Sequence, residues 1–111
     1  MVVDDDDAVR DAMVDTLASD GYGVLSAGDG VTALHVLGVA PRPCVVIVDL
    51  VIPGGDGAEL ARTIAGLADV RVVCITGGRG ALPEGCHAML RKPFDAAALV
   101  SIVRGAFATL R

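Results

Sequence analysis

Two hydrophobic rhythms alternate along this chain. Val9, Ala12, Met13, Thr16 and Leu17 recur at the three- and four-residue spacing of an amphipathic helix, predicted from Ala8 to Asp20 and stopped by Gly21 and Gly23. A second helical pattern runs from Asp29 to Val39, with Val31, Leu34 and Leu37 on or near one face. A third follows Asp56, placed to cap a helix through about Leu67. A fourth follows Asp95, which caps a helix carrying Leu99, Ile102, Val103, Ala106, Phe107 and Leu110. Between these segments lie runs of another kind. Val2-Val3 and Tyr22 to Ser26 read as short strands. CVVIVDL at 44–50 and VRVVCIT at 70–76 are continuous apolar runs, the mark of strands buried on both faces. Ala88 to Leu90 reads as the core of a fifth strand, while PRP at 41–43 and PGGDG at 53–57 read as connections. Strands alternating with helices over short connections predict an open parallel sheet covered by helices on both faces, an α/β fold.

Composition narrows this picture. The 111 residues are 53% hydrophobic but only 3% aromatic, so one core of Val, Ile, Leu and Ala is expected, in a single domain over 1–111. A net charge of −5 argues against nucleic acid as a partner, because no basic patch is available to replace phosphate counterions. The apolar runs are too short to span a membrane, and no signal-peptide pattern appears. A cytoplasmic protein is therefore expected, with Cys44, Cys74 and Cys86 as reduced, mostly buried thiols rather than metal or redox groups.

The chemistry gathers at strand ends. In open parallel sheets, ligands bind beyond the carboxyl ends of the strands. Asp4 and Asp5 end the first strand and Asp49 the third; if these strands are neighbours, three carboxylates share one patch. Two unit charges ~4 Å apart repel by about 4 kcal/mol at an effective dielectric of ~20. Mg²⁺ relieves such a cluster, since it binds through one or two carboxylates and shares its shell with phosphate. Thr76 ends the fourth strand and Lys92 the fifth, a hydroxyl and an ammonium suited to the oxygens of a tetrahedral anion.

The segments VVDDDDAVR, VVIVDLVIPGGDG, VVCITG and LRKPFD together resemble the receiver domain of bacterial two-component response regulators, over almost the whole chain. The resemblance implies a flavodoxin-like five-stranded sheet in the order 2-1-3-4-5. It implies a phosphoacceptor at Asp49 that takes a phosphoryl group from a sensor histidine kinase or phosphotransfer domain. It further implies Mg²⁺ held by Asp4, Asp5, Asp49 and the backbone carbonyl of Val51, with Thr76 as the switch hydroxyl and Lys92 binding the phosphoryl oxygens. Asp6 and Asp7 are expected to start the first helix instead. Such a module is a signalling domain rather than an enzyme, with a larger hybrid kinase as one conceivable parent chain and its oligomeric state open.

Two features depart from the family pattern. Only nine residues, GGRGALPEG, separate Thr76 from Cys86; a crossover with its helix needs at least ~10–12 residues, so the fourth helix is expected to shrink to a turn or irregular loop. By alignment to Lys92-Pro93, the place of the aromatic that usually moves with the Thr falls to Met89, which predicts that the signal passes through the order of the 77–85 loop. His35 and His87 read as structural or surface histidines, and Arg10 and Arg79 as solvated charges rather than contacts to a phosphoryl donor. Two other functions compete. A pseudo-receiver would act as a phosphorylation-independent interaction module. A small Mg²⁺-dependent phosphatase would need an acid two residues after its nucleophile, where this chain has Val51.

Overall fold

A computed structural model describes residues 1–51, 56–78 and 81–110. Five strands, β1 (Val2–Val3), β2 (Ser26–Ala27), β3 (Cys44–Asp49), β4 (Val70–Thr76) and β5 (Ala88–Arg91), form one parallel sheet in the order β2-β1-β3-β4-β5. Four helices accompany them among the described residues: α1 (Asp7–Ser19), α2 (Gly30–Val39), α3 (Gly57–Ala65) and α4 (Ala96–Ala108).

The unbroken apolar runs of β3 and β4 fill two cores at once, because successive side chains point to opposite faces. Val46, Val48, Val72 and Cys74 meet Leu37 of α2 and Leu60, Ala61 and Ile64 of α3 on one face. Val45, Ile47, Val73 and Ile75 meet Met13 and Leu17 of α1 and Leu99, Val103 and Ala106 of α4 on the other. The register pairs Val3, the last residue of β1, with Val48 of β3, so the first and third strands end side by side.

Each helix begins where a short acidic side chain can bind free N–H groups. Asp6 accepts from Ala8 and Val9, Asp29 from Thr32, Asp56 from Ala58 and Glu59, and Asp95 from Ala98. The expected role of Asp6 and Asp7 therefore holds: one caps α1 and the other opens it.

The structure corrects three expectations. Tyr22 to Ser26 is not a strand; only Ser26 and Ala27 pair, because β1 offers Val2 and Val3 alone as ladder partners. Tyr22 instead stacks on Phe107, with ring centroids 5.3 Å apart. The third helix stops at Ala65 with Gly66 as its cap, two residues short of Leu67. On α2, Ala33 and Leu37 are the buried residues, while Val31 and Leu34 face solvent at 72% and 44% exposure.

Between β4 and β5 the described residues hold no helix, as the short spacing requires. Arg79 and Gly80 in this segment, and the 52–55 part of the PGGDG connection, lie outside the described residues. Cys86 half-fills the face beside Cys74, where burial and a hydrogen bond to Cys86 push the Cys74 thiol up to about 12. Both it and Cys44 are buried thiols, as expected.

Candidate functional site

At the carboxyl edge of the sheet, Asp4, Asp5, Asp6, Val9, Asp49, Val51 and Lys92 line a cavity of about 380 Å³. An apolar cleft of similar size opens near the opposite ends of the strands, lined by residues such as Met1, Leu17, Leu25, Val103 and Phe107, and none of its described lining residues is an aspartate, glutamate, lysine, arginine or histidine. The chemistry therefore belongs to the carboxyl edge.

Asp49 is held at both oxygens. Its Oδ1 accepts the Val51 N–H at 2.9 Å, and its Oδ2 accepts from Lys92 Nζ at 2.9 Å. Its side chain is only 5% exposed, yet it forms part of the cavity wall, so it is reached through that cavity. The hydrogen bond to Asp49 raises the Lys92 pKa above the ordinary lysine value, with Asp4 and Asp5 adding to the effect.

Asp4 is more constrained. Buried to 1% exposure, it spends Oδ1 on the Asp6 N–H at 2.9 Å, while Oδ2 is buried with no hydrogen-bond partner among the described residues. Burial is the main reason its carboxyl pKa lies above the usual range, with the charges of Asp49 and Asp5 pushing the same way. An ionised oxygen kept dry and unpaired is costly, which makes a cation its natural complement. Asp5, by contrast, is exposed.

The donor set fits a hard divalent ion: oxygen atoms only, an orphaned carboxylate oxygen, and room for water and phosphate. It is not a closed cage. Among the described residues no three acidic, histidine or cysteine side chains stand ready as a complete ligand group. Mg²⁺ needs no such cage, because it retains several waters.

Thr76 and Lys92 are neighbours at the ends of β4 and β5, where the Lys92 N–H donates to the Thr76 carbonyl at 2.8 Å. The Thr76 hydroxyl does not line the cavity; it accepts the Gly78 N–H at 3.2 Å. The Gly78 carbonyl in turn accepts from Arg91 at 2.6 Å. Met89 sits half-buried in β5.

One contributor escaped the sequence reading. Arg10 donates to the Asp4 carbonyl at 2.8 Å and pairs with Asp7, pinning the peptide from which the acidic pair projects. A Cβ at Gly28 would stand 3.1 Å from this guanidinium, so a glycine leaves the arginine its space. The only sequence signal was an arginine one helical turn after Asp6.

Comparison with known proteins agrees with this architecture. Residues 1–104 match the model of the response regulator receiver domain. The chain belongs to that family, the receiver domains of two-component systems. The transcriptional regulatory protein CseB of Streptomyces avermitilis is 33% identical over 110 residues, covering 94% of this chain and 46% of its own length. The response regulator MprA of Mycobacterium tuberculosis is likewise 33% identical, over 94% of this chain and 48% of that protein. This chain thus spans about half the length of these curated relatives. The receiver domain of NtrX from Brucella abortus superposes with a TM-score of 0.85 at 30% identity, covering 97% of each chain. A CheY-like receiver domain protein from Methanospirillum hungatei gives 0.81 at 26% identity, over 99% of this chain and 91% of that one. No described helix is long and apolar enough to cross a membrane.

Proposed function

We propose that this chain is a single phosphoacceptor domain, accepting a phosphoryl group on Asp49 from a histidine kinase or phosphotransfer domain. The observation that carries the reading is the ion pair of Lys92 with Asp49, in one cavity with the unpaired Asp4 oxygen. Receiver domains generally bind Mg²⁺ at their phosphorylation site. Here Asp4, Asp5, Asp49 and the Val51 carbonyl would hold it, and when bound it supplies positive charge against the phosphoryl oxygens.

The residues of the chain do the remaining work. An Asp49 oxygen attacks phosphorus in line; the new O–P bond forms as the P–N bond to the donor imidazole breaks. Lys92 then turns from the Asp49 carboxylate to a phosphoryl oxygen, conserving its charge-assisted bond. Catalysis here is positional, with no residue offered as a separate general acid for ester hydrolysis. The net charge of −5 favours a protein partner over nucleic acid for this module.

Incubation with Mg²⁺ and a small phosphodonor, followed by mass spectrometry, tests the reading. A single phosphoryl group mapped to Asp49 supports it. No modification would instead point to an interaction module, and sustained turnover of phosphate esters to a phosphatase.

Asp4→Asn should move stability and metal affinity in opposite directions. The folded-state pKa of Asp4 is raised, so its contribution to stability is full below the unfolded value of about 3.9 and is lost as pH rises through the folded value. Near neutral pH without metal, the variant should therefore melt higher than the parent, by about 1 kcal/mol in stability, and the difference should vanish in acid. With Mg²⁺ the parent should gain stability and the variant little. Melting curves at two pH values, with and without Mg²⁺, check both signs.

Output is proposed to pass through the segment after β4. The Thr76 hydroxyl now accepts the Gly78 N–H; turning toward a phosphoryl oxygen would release that N–H, while Arg91 retains the carbonyl. Thr76→Ala should leave phosphorylation intact yet remove any phosphorylation-dependent change in amide exchange at Gly78 and at 81–85. An unchanged response in the variant would refute this route.

A further inference from the structure

Helix α2 lacks the charges that the other helices carry. Asp7, Arg10, Asp11 and Asp15 lie on α1, Glu59 and Arg62 on α3, and Arg104 on α4, whereas Gly30–Val39 holds no acidic, lysine or arginine residue. With Ala33 and Leu37 turned into the core, Val31, Leu34, His35, Gly38 and Val39 fall on an outward arc of roughly 140°. Three of these are large apolar side chains left in water: Val31 at 72%, Leu34 at 44% and Val39 at 85% exposure.

Charge returns only at the two ends of the helix. Asp29 caps the N-terminus, accepting from the Thr32 N–H and hydroxyl. Arg42 lies at the C-terminus, donating to the carbonyls of Leu37 and Ala40 at 3.1 Å. The exposed stripe thus holds no acidic, lysine or arginine side chain along its length, with a carboxylate at one end and a guanidinium at the other.

We propose that this face of α2 is the contact between two copies of the chain, packed antiparallel about a two-fold axis near Leu34 and His35. That axis sets the Asp29 end of each helix against the Arg42 end of the other, twice. It also sets Val31 opposite Gly38, a large side chain against a position with none, which lets the helices approach closely. A surface that matches itself in both charge and shape is what a two-fold interface requires. A chain with a charge of −5 repels its own copy across most of its surface, and this stripe is where that repulsion is replaced by attraction at the ends. One helix face per protomer falls below the ~1,200 Å² of standard interfaces, so a transient dimer is expected, with a dissociation constant on the order of 100 μM.

The proposal is independent of phosphorylation, so it is tested on the unmodified full chain, without Mg²⁺ or phosphodonor. Sedimentation velocity from about 10 μM to about 1 mM should show monomer passing to dimer across that constant. Leu34→Glu should weaken the dimer at least ten-fold without changing the circular dichroism spectrum, and Ser101→Glu on α4 should leave it unaltered. Arg42→Glu should weaken it most at low salt. A monomer at every concentration overturns the proposal, as does a dimer that survives Leu34→Glu. A monomer that binds neutral phosphatidylcholine vesicles through Leu34 also overturns it, assigning the face to lipid.

Discussion

An Asp49→Asn chain is expected to fold, to keep its melting temperature within about 5 °C of the parent, and to accept no phosphoryl group. The amide can still take the Val51 N–H on its Oδ1, so the turn after β3 retains its anchor. What disappears is the ion pair with Lys92, together with the repulsion between Asp49 and Asp4. These changes oppose one another, which keeps the net effect on stability near ~1 kcal/mol or less. Chemistry has no such compensation, because a neutral amide oxygen cannot supply the anionic nucleophile. Lys92→Ala is the informative contrast: the nucleophile remains, but the transferred charge loses its ammonium, so labelling should slow rather than cease. Intact-mass measurements over time, on parent and both variants with Mg²⁺ and one phosphodonor, distinguish these outcomes. Labelling of Asp49→Asn at the parental rate would place the acceptor elsewhere and remove the basis of the functional reading.

The parts of this protein readable from its residues are those governed by strong local rules. The apolar runs at 44–50 and 70–76 read as strands of the kind buried on both faces, and Cys44–Asp49 and Val70–Thr76 form such strands. Asp56 and Asp95 preceded helical patterns and cap helices. The nine residues after Thr76 were too few for a helical crossover, and the described ones form none. Placement of Asp4, Asp5, Asp49 and Lys92 around one cavity followed from their positions at strand ends, once strands one and three were taken as neighbours. Spacing could not establish that neighbourhood; it came from the family resemblance.

The misses share a physical origin: each was decided by a partner distant in sequence. Tyr22 to Leu25 has strand-like composition, but a strand exists only where another pairs with it, and β1 is two residues long. Val31 and Leu34 share a periodic pattern with Leu37, yet the sheet covers only the arc holding Ala33 and Leu37. A pattern of apolar residues on all sides of a helix does not say which side is covered. Likewise, Arg10 looked like a solvated charge because the carbonyl it binds is presented only when β1 has folded beside it.

Gly57→Ala should be among the most damaging single-methyl additions this chain can receive. Gly57 opens α3 directly after the Asp56 cap and is buried against the residue that follows Asp49. A Cβ there would lie 2.6 Å from the Leu50 carbonyl carbon and 2.7 Å from its Cα, and would also meet the Leu50 carbonyl oxygen. These are main-chain atoms at the end of a central strand, tied by the Leu50 N–H to Ile75 at 3.0 Å, so they cannot yield as the tip of a flexible side chain would. Either α3 lifts from the sheet or the turn after β3 moves. A cost of about 2–4 kcal/mol is expected, which lowers the melting temperature by more than ~10 °C in a domain of this size. Gly105→Ala provides the opposite case: it sits within α4 with nothing within 4 Å of the added carbon. Better helix propensity should there stabilise the chain by about 0.5–1 kcal/mol. Calorimetry on the two variants tests whether packing against Leu50, rather than glycine's backbone freedom, fixes residue 57. Equal and small effects would show that the β3–α3 junction is looser than its contacts imply. If instead Gly57→Ala both melts early and slows labelling of Asp49, the same junction that closes the core also aims the nucleophile.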